Sequence, residues 1–285
     1  EQVTFGDRLE VIVALDSAAA LSAWADAAPP HSSDLRRFLA IADALGLDKL
    51  GRAGDRFMSY GGYLIDGERL FGPGLWHHGL QSLDTALIGE DLSHSRMQGD
   101  AAHHPSRGVT LPEPDKAGAY SWCKAPRLDG AVIEVGALAR QVVDGHPLVR
   151  DLVAASGGNV RSRVVARLLE VARVVIAMED WVRALVPGEP FCHTAPLPDN
   201  ADGVGLVEAA RGSLGHWLSV RDGRIANYQI VAPTTWNFSP RDAAGVPGAL
   251  EQALVGAPLR DGETSPLAAQ HIVRSFDPCM VCTVH

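Results

Sequence analysis

The sequence predicts a mainly helical α+β chain with small β-hairpins, and three observations carry that prediction. From Val160 to Val186 the apolar residues Val164, Leu168, Val171, Val175, Met178 and Val182 recur at spacings of three and four, which marks one face of a long helix. Serines open two other apolar-periodic stretches, as capping residues do, and proline or glycine closes them. Asp66-Gly67 and Asp222-Gly223 each separate two strand-like runs, the signal of a tight hairpin.

Taken in order, Arg8 to Leu15 alternates loosely and is expected to be a strand. Asp16 or Ser17 caps an alanine-rich helix to about Ala28, ended by Pro29-Pro30. Ser32 or Ser33 caps the next, Leu35 to Leu45, stopped at Gly46. Tyr63–Ile65 and Arg69–Phe71 form the first hairpin, and Leu80 to Ile88 is expected to be a helix. Glu90 to Pro114 is polar and rich in turn formers, a surface excursion whose His94, His103 and His104 are expected to be solvated rather than metal-bound. Tyr120 to Arg127 turns into a helix with the apolar face Val132, Val135, Leu138, Ala139 and Val142. Leu148 to Ala155 is a short helix, broken at Ser156 to Asn159 before the long one, whose apolar stripe, Met178 and Trp181 are expected in the core. Pro187-Gly188 ends that helix, and Cys192-His193 in the loop beyond reads as structural. His216–Val220 and Ile225–Val231 make the second hairpin; Pro247–Val255 and Pro266–Ser275 are the last two helices.

With 285 residues, 46% apolar and 21% charged, the chain can bury a sizeable core, read as one domain over 1–285. A net charge of −9 excludes a basic face for nucleic acid. No run reaches the roughly 18 apolar residues of a membrane span, and the start has no secretory pattern. Four scattered cysteines point to a reducing, cytoplasmic setting, with the periplasmic side open if a partner subunit carries the chain there.

The chemistry concentrates at Asp277-Pro278-Cys279-Met280-Val281-Cys282-Thr283-Val284-His285. A thiolate pair at this spacing can grip one soft transition metal from a single turn of backbone, with the imidazole and terminal carboxylate of His285 beside it. Other readings stay open on the residues alone. The pair could be half of a zinc site completed by Cys123 or Cys192, or a redox dithiol. Arg211, set among small residues beside Gly212, suits an anion site as well as a plain surface position.

Three segments together resemble the large subunit of [NiFe]-hydrogenases. They are Ser275-Phe276-Asp277-Pro278-Cys279-x-x-Cys282-x-x-His285, the run Tyr120-Ser121-Trp122-x-Lys124-Ala125-Pro126-Arg127 with Glu134-Val135-Gly136-x-Leu138-Ala139-Arg140, and the stretch from Glu208 to Asp242. The resemblance implies that Cys279 is a terminal nickel ligand able to accept a proton. Cys282 would bridge nickel to an iron carrying cyanide and carbon monoxide. Arg211 would hang over that centre and, with Asp277, form its acid and arginine canopy. Pro233 and Thr234 would cover a cyanide. The backbone carbonyl of Ile230 would join His285 around a second ion, usually magnesium. The Tyr120 to Arg140 segments would brace the metal domain and face an iron–sulfur small subunit, which takes the electrons from H2. The Glu90 to Gly130 wording is that of the uptake and hydrogen-sensing branches.

This chain departs from the pattern at Ala210, where the family usually has proline, and it lacks the Arg-x-Cys-Gly-x-Cys segment that supplies the other two thiolates. The resemblance therefore covers only the second half of the family's length, with the N-terminal half on a separate polypeptide or missing. Ending at His285 is expected of a matured subunit or of a branch that lacks the C-terminal extension. Two rival readings are a quinone-oxidoreductase-type subunit of the same fold, against which Cys279 and Cys282 argue, and a zinc-stabilised binding module without redox activity.

Overall fold

Short polar side chains start three of the described helices, each satisfying a backbone N–H that has no partner inside its helix. The computed structural model of the chain describes residues 1–65, 67–190, 192, 194–259 and 261–283. Ser17 Oγ accepts from Ala20 N at the start of α2 (Ala18–Asp26). Ser33 Oγ does the same for Arg36 N in α3 (Asp34–Leu45), and Gly46 ends α3 in the left-handed conformation, φ 63°. Upstream of both, the expected strand at Arg8–Leu15 is instead a one-turn helix, α1 (Leu9–Val13). Leu9 and Ile12, three apart, share the buried side against the main helical core, and that spacing outweighs the β-branched composition. The helices α4 (Ala137–Asp144), α5 (Pro147–Ser156) and α6 (Val160–Ala184) complete this layer. Asn159 and Ser162 close a capping box at the head of α6.

The strands form three small antiparallel sheets among the described residues. In the first, β1 (Phe57–Ile65) and β2 (Glu68–Trp76) are longer than expected, with β3 (Leu80–Gln81) along the edge of β2. The helix expected over Leu80–Ile88 is therefore absent. Leu80 pairs with Trp76, Asp84 caps a single 3-10 turn at Thr85–Leu87, and Ile88 begins β4 (Ile88–Asp91). Leu80 and Leu87 are both exposed, so no buried stripe holds a helix there. Strand β4 pairs with β5 (Ala125–Leu128), which the sequence reading took as a turn. The third sheet adds β6 (Ala201–Ala209), also unforeseen, to the expected hairpin of β7 (Gly212–Arg221) and β8 (Arg224–Val231). The chain then runs through α7 (Pro233–Asn237), α8 (Ala249–Leu254), α9 (Leu267–Ser275) and the single turn α10 (Met280–Thr283). No described helix is long and apolar enough to cross a membrane.

Helix α6 corrects a further expectation. Its buried side chains include Val160, Val165, Ala166, Leu169 and Ala172. The stripe expected in the core lies on another face, with Val171 44%, Met178 49% and Val182 64% exposed. Trp181 is not in the core either, but stacks against Tyr63 with ring centroids 5.1 Å apart. Helix α6 thus carries two apolar faces, and the described elements cover one of them.

Candidate metal centre

The tight turn from β6 to β7 presents Arg211, with Ala209 paired to Gly212 across it. Gly212 sits at φ 135°, where a Cβ would lie 2.8 Å from the backbone N of Gly136. Only glycine fits that close approach. Beneath the turn Arg140 is 1% exposed. It donates to the carbonyls of Ala209 and Ala210 at 2.9 Å each, to Glu208 at 2.9 Å and to Glu170 at 2.8 Å. Glu208 in turn accepts from Tyr60 N at 2.8 Å and from Ser213 Oγ. Burial alone would lower the pKa of Arg140, but Glu170 and Glu208 hold it above the usual guanidinium value. The base under Arg211 is thus a buried network in which burial raises the pKa of Glu208 while Arg140 opposes that shift.

The cysteine turn approaches this base from the other side. Arg163 of α6 bonds Glu134 through two nitrogens at 2.7 and 2.8 Å, lies over the Phe276 ring at 3.7 Å and reaches Ser275 Oγ at 3.4 Å. Asp277 follows in the left-handed region, φ 54°. Its Oδ1 is 3.9 Å from Nε of Arg211. Thr234, 3% exposed on α7, accepts from Cys279 N at 3.3 Å through its Oγ1. The N–H of Cys282 donates to the Cys279 carbonyl at 3.0 Å, closing the turn. Burial pushes the Cys282 thiol up to about 11, helped by its hydrogen bond to Cys279 and by the charges of Cys279 and Cys123. Arg211 pulls it the other way. Two sulfurs in hydrogen-bond contact within the field of Arg211 repel each other as a thiolate pair unless a cation sits between them, which is the donor chemistry of a soft metal.

The structure therefore brings Arg211, Thr234, Asp277, Cys279 and Cys282 to one place, with Pro233 buried beside Thr234 at the start of α7. Ile230 lies in β8 opposite His216, three residues before Pro233 opens α7. His285, its expected partner around the second ion, lies outside the described residues, as does His193. Among the described residues no three or more His, Cys, Asp or Glu side chains converge on a point. Cys192 is exposed rather than packed, and Cys123 is half-buried, its thiol pushed up by burial. In the surface excursion His103 is exposed, while His104 is held by Thr85 O and Ser106 rather than solvated.

Sequence reasoning missed why the bracing segments carry charges. Lys124 is buried, donating to Gln229 at 2.9 Å and facing Glu90 at 3.4 Å. Arg127 joins Asp242 at 2.9 Å and also bonds Ser239, Pro240 and Val246. These are contacts between separate motif segments, and lysine or arginine inside otherwise apolar runs was the available signal. Glu134 and Arg140 are buried too, so of the segment expected to face a partner it is Tyr120 that stands open, half exposed.

A profile of the family described as nickel-dependent hydrogenase matches residues 9–285. The chain is 37% identical over 236 residues to the periplasmic [NiFeSe] hydrogenase large subunit of Desulfomicrobium baculatum, covering 76% of this chain and 46% of that protein. It is 33% identical over 227 residues to the hydrogenase-2 large chain of Escherichia coli K12, covering 70% and 40%. The solved Ni-Fe-Se hydrogenase from D. vulgaris Hildenborough in the reduced state superposes with a TM-score of 0.79 at 32% identity, covering 94% of this chain and 60% of that one. The chain spans about half the length of the curated relatives it matches. Sequence pattern, fold and converging residues agree, and the chain belongs to the nickel-dependent hydrogenase family.

Proposed function

We propose that this chain is the second half of the catalytic large subunit of a [NiFe]-hydrogenase of the uptake or hydrogen-sensing kind, splitting H2 heterolytically into protons and electrons. The observation that carries the reading is the meeting of Arg211, Asp277 and Thr234 around the Cys279–Cys282 turn. The residues present fit the family's group in part, offering two soft sulfur donors at one side and a fixed positive charge above. Cys279 and Cys282 would hold the nickel–iron centre, and two further thiolates would come from the first half of the subunit. Bound there, that centre supplies the Lewis acidity and the redox couple the reaction needs.

The chain's own residues do the rest. The Cys279 sulfur accepts the proton released from H2, as a thiolate at an electropositive site can. Arg211 supplies a forked set of guanidinium donors that would reach cyanide and carbon monoxide on iron. Pro233 and Thr234 close the other side, and the Thr234 hydroxyl, already accepting from Cys279 N, fixes the sulfur's direction. The Ile230 carbonyl and His285 would hold magnesium. Electrons would leave through iron–sulfur clusters on a small subunit. The uncovered apolar stripe of α6 supports a first half that packs against this one. We place the complex on the cytoplasmic side, or on the periplasmic side if the small subunit carries it across.

The test is metal analysis and infrared spectroscopy on the chain assembled with its first half and small subunit, with H2-dependent dye reduction alongside. Nickel and iron together, with bands from cyanide and carbon monoxide, are the expected result. Zinc alone would return the chain to a binding module.

A further inference from the structure

Arg167 has no part in that reading, although it lies closer to Asp277 than Arg211 does. It stands on α6, four residues after Arg163, with Nε 3.4 Å from Oδ2 of Asp277. Its Nη2 donates to the Ser275 carbonyl at 3.1 Å. The other carboxylate oxygen, Oδ1, faces Arg211 at 3.9 Å. Asp277 is thus shared between two arginines, one oxygen to each. Arg163 holds Ser275 and Phe276 from the same helix, so α6 grips the three residues that lead to Pro278 and Cys279.

The two grips differ in kind. Arg163 is 2% exposed and locked to Glu134, as a core brace would be. The Arg167 side chain is 33% exposed, and the nearby Glu170 is bonded by Arg140. What Arg167 holds by its side chain is the site's own carboxylate and the carbonyl two residues before it. Were Arg167 absent, both oxygens of Asp277 would be open to Arg211, and a planar guanidinium pairs with a carboxylate through two parallel bonds where it can. That pairing would draw the Arg211 charge down toward Asp277 and away from the sulfurs.

We propose that Arg167 is a positioning residue: by occupying Oδ2 of Asp277 it keeps Arg211 in a single, loose contact and directed over Cys279 and Cys282. The proposal rests on the hydrogenase reading above.

The experiment compares Arg167→Met, Arg167→Lys, Arg211→Lys and the double variant Arg167→Met/Arg211→Lys in the assembled enzyme. Nickel and iron content, thermal unfolding, the cyanide stretching bands and H2 uptake at several H2 concentrations are measured. In Arg167→Met we expect full metal content and an unchanged unfolding temperature. We also expect cyanide bands displaced in the same direction as in Arg211→Lys, and kcat lowered by about tenfold at constant KM, the scale on which small misplacements act. Arg167→Lys, which keeps a cation near Asp277, restores the band positions and part of the rate. The double variant is no slower than Arg211→Lys alone, because both changes remove one interaction. Unmoved bands with an unchanged rate in Arg167→Met, losses that multiply in the double variant, or metal loss in both single Arg167 variants each overturn the proposal. A wild-type enzyme without nickel and iron overturns the parent reading first, and the two failures are told apart by that measurement.

Discussion

The two sides of the site are built to different standards. Under Arg211 the β6–β7 turn is fastened by Arg140, Glu208, Glu170, Ser213 and Tyr60, with Gly212 pressed against Gly136. At the cysteine turn Cys279 N donates to Thr234, Asp277 pairs with Arg167 and Arg211 at 3.4 and 3.9 Å, and Met280 is 67% exposed. The contrast teaches that residues of this chain fasten the charged roof tightly, and under the proposed function the thiol side is completed by the metal it holds. Preorganised charge is where enzymes gain most from electrostatics, and a metal supplies the order that thiols lack.

Predictions follow that break or sharpen this contrast. The largest effect is expected on the thiol side: Cys282→Ala in the assembled enzyme should abolish nickel and iron incorporation, read by elemental analysis. Normal metal content would remove the bridging role. On the roof, Arg211→Lys should keep both metals and lower H2 uptake by about two orders of magnitude or more, the usual cost of misplacing a fixed charge. Unchanged uptake would show that the roof contributes nothing to the reaction. Beneath it, Glu208→Gln leaves Arg140 short of a buried carboxylate and should cost about 3 kcal/mol of stability in urea unfolding. A loss below 1 kcal/mol would mean the base is less tightly built than its contacts suggest.

A smaller effect is expected from pH. Burial raises the pKa of Glu90 above its ordinary 4.5, with Lys124 opposing. The folded chain therefore binds that proton more tightly than the unfolded one. This contribution to stability is complete below pH 4.5 and is lost as pH rises through the higher folded value. Glu90→Gln should flatten the slope of stability against pH in that window, and an unaltered slope would exclude Glu90 as its source. The smallest effect is expected on α6: Val175→Asp with Met178→Asp should change the stability of this chain by only about 0.5 kcal/mol, as exposed positions do. The same pair should prevent co-purification with the first half. Full recovery of the complex would show that some other surface receives it.

Much of the site was legible in sequence because its chemistry is local. The cysteine spacing, the capping serines and the turn glycines each act within a few residues. Cys279 and Cys282 stood out by their spacing and Arg211 by its setting beside glycine. Pro233, Thr234 and the role of Asp277 came from the resemblance to the hydrogenase family, and the fold placed Arg211, Thr234 and the 277–282 turn in contact. Strand β6, strands β4 and β5 and the loss of a helix at Leu80–Ile88 were not legible, since pairing depends on partners distant in the chain. The stripe on α6 was read as core because period alone reports that a face is apolar, not what covers it.

By itself, then, the sequence determined the serine-capped helix starts, both hairpin turns and the close spacing of Cys279 and Cys282, all matters of local backbone and side-chain chemistry. Only the tertiary structure decided that Glu208 and Arg140 underpin Arg211, that Lys124 and Arg127 tie separate motifs together, and that Asp277 is divided between Arg167 and Arg211. The reason is that a charge taken out of water must find a partner, and that partner is chosen by distance in space, which residue order does not encode.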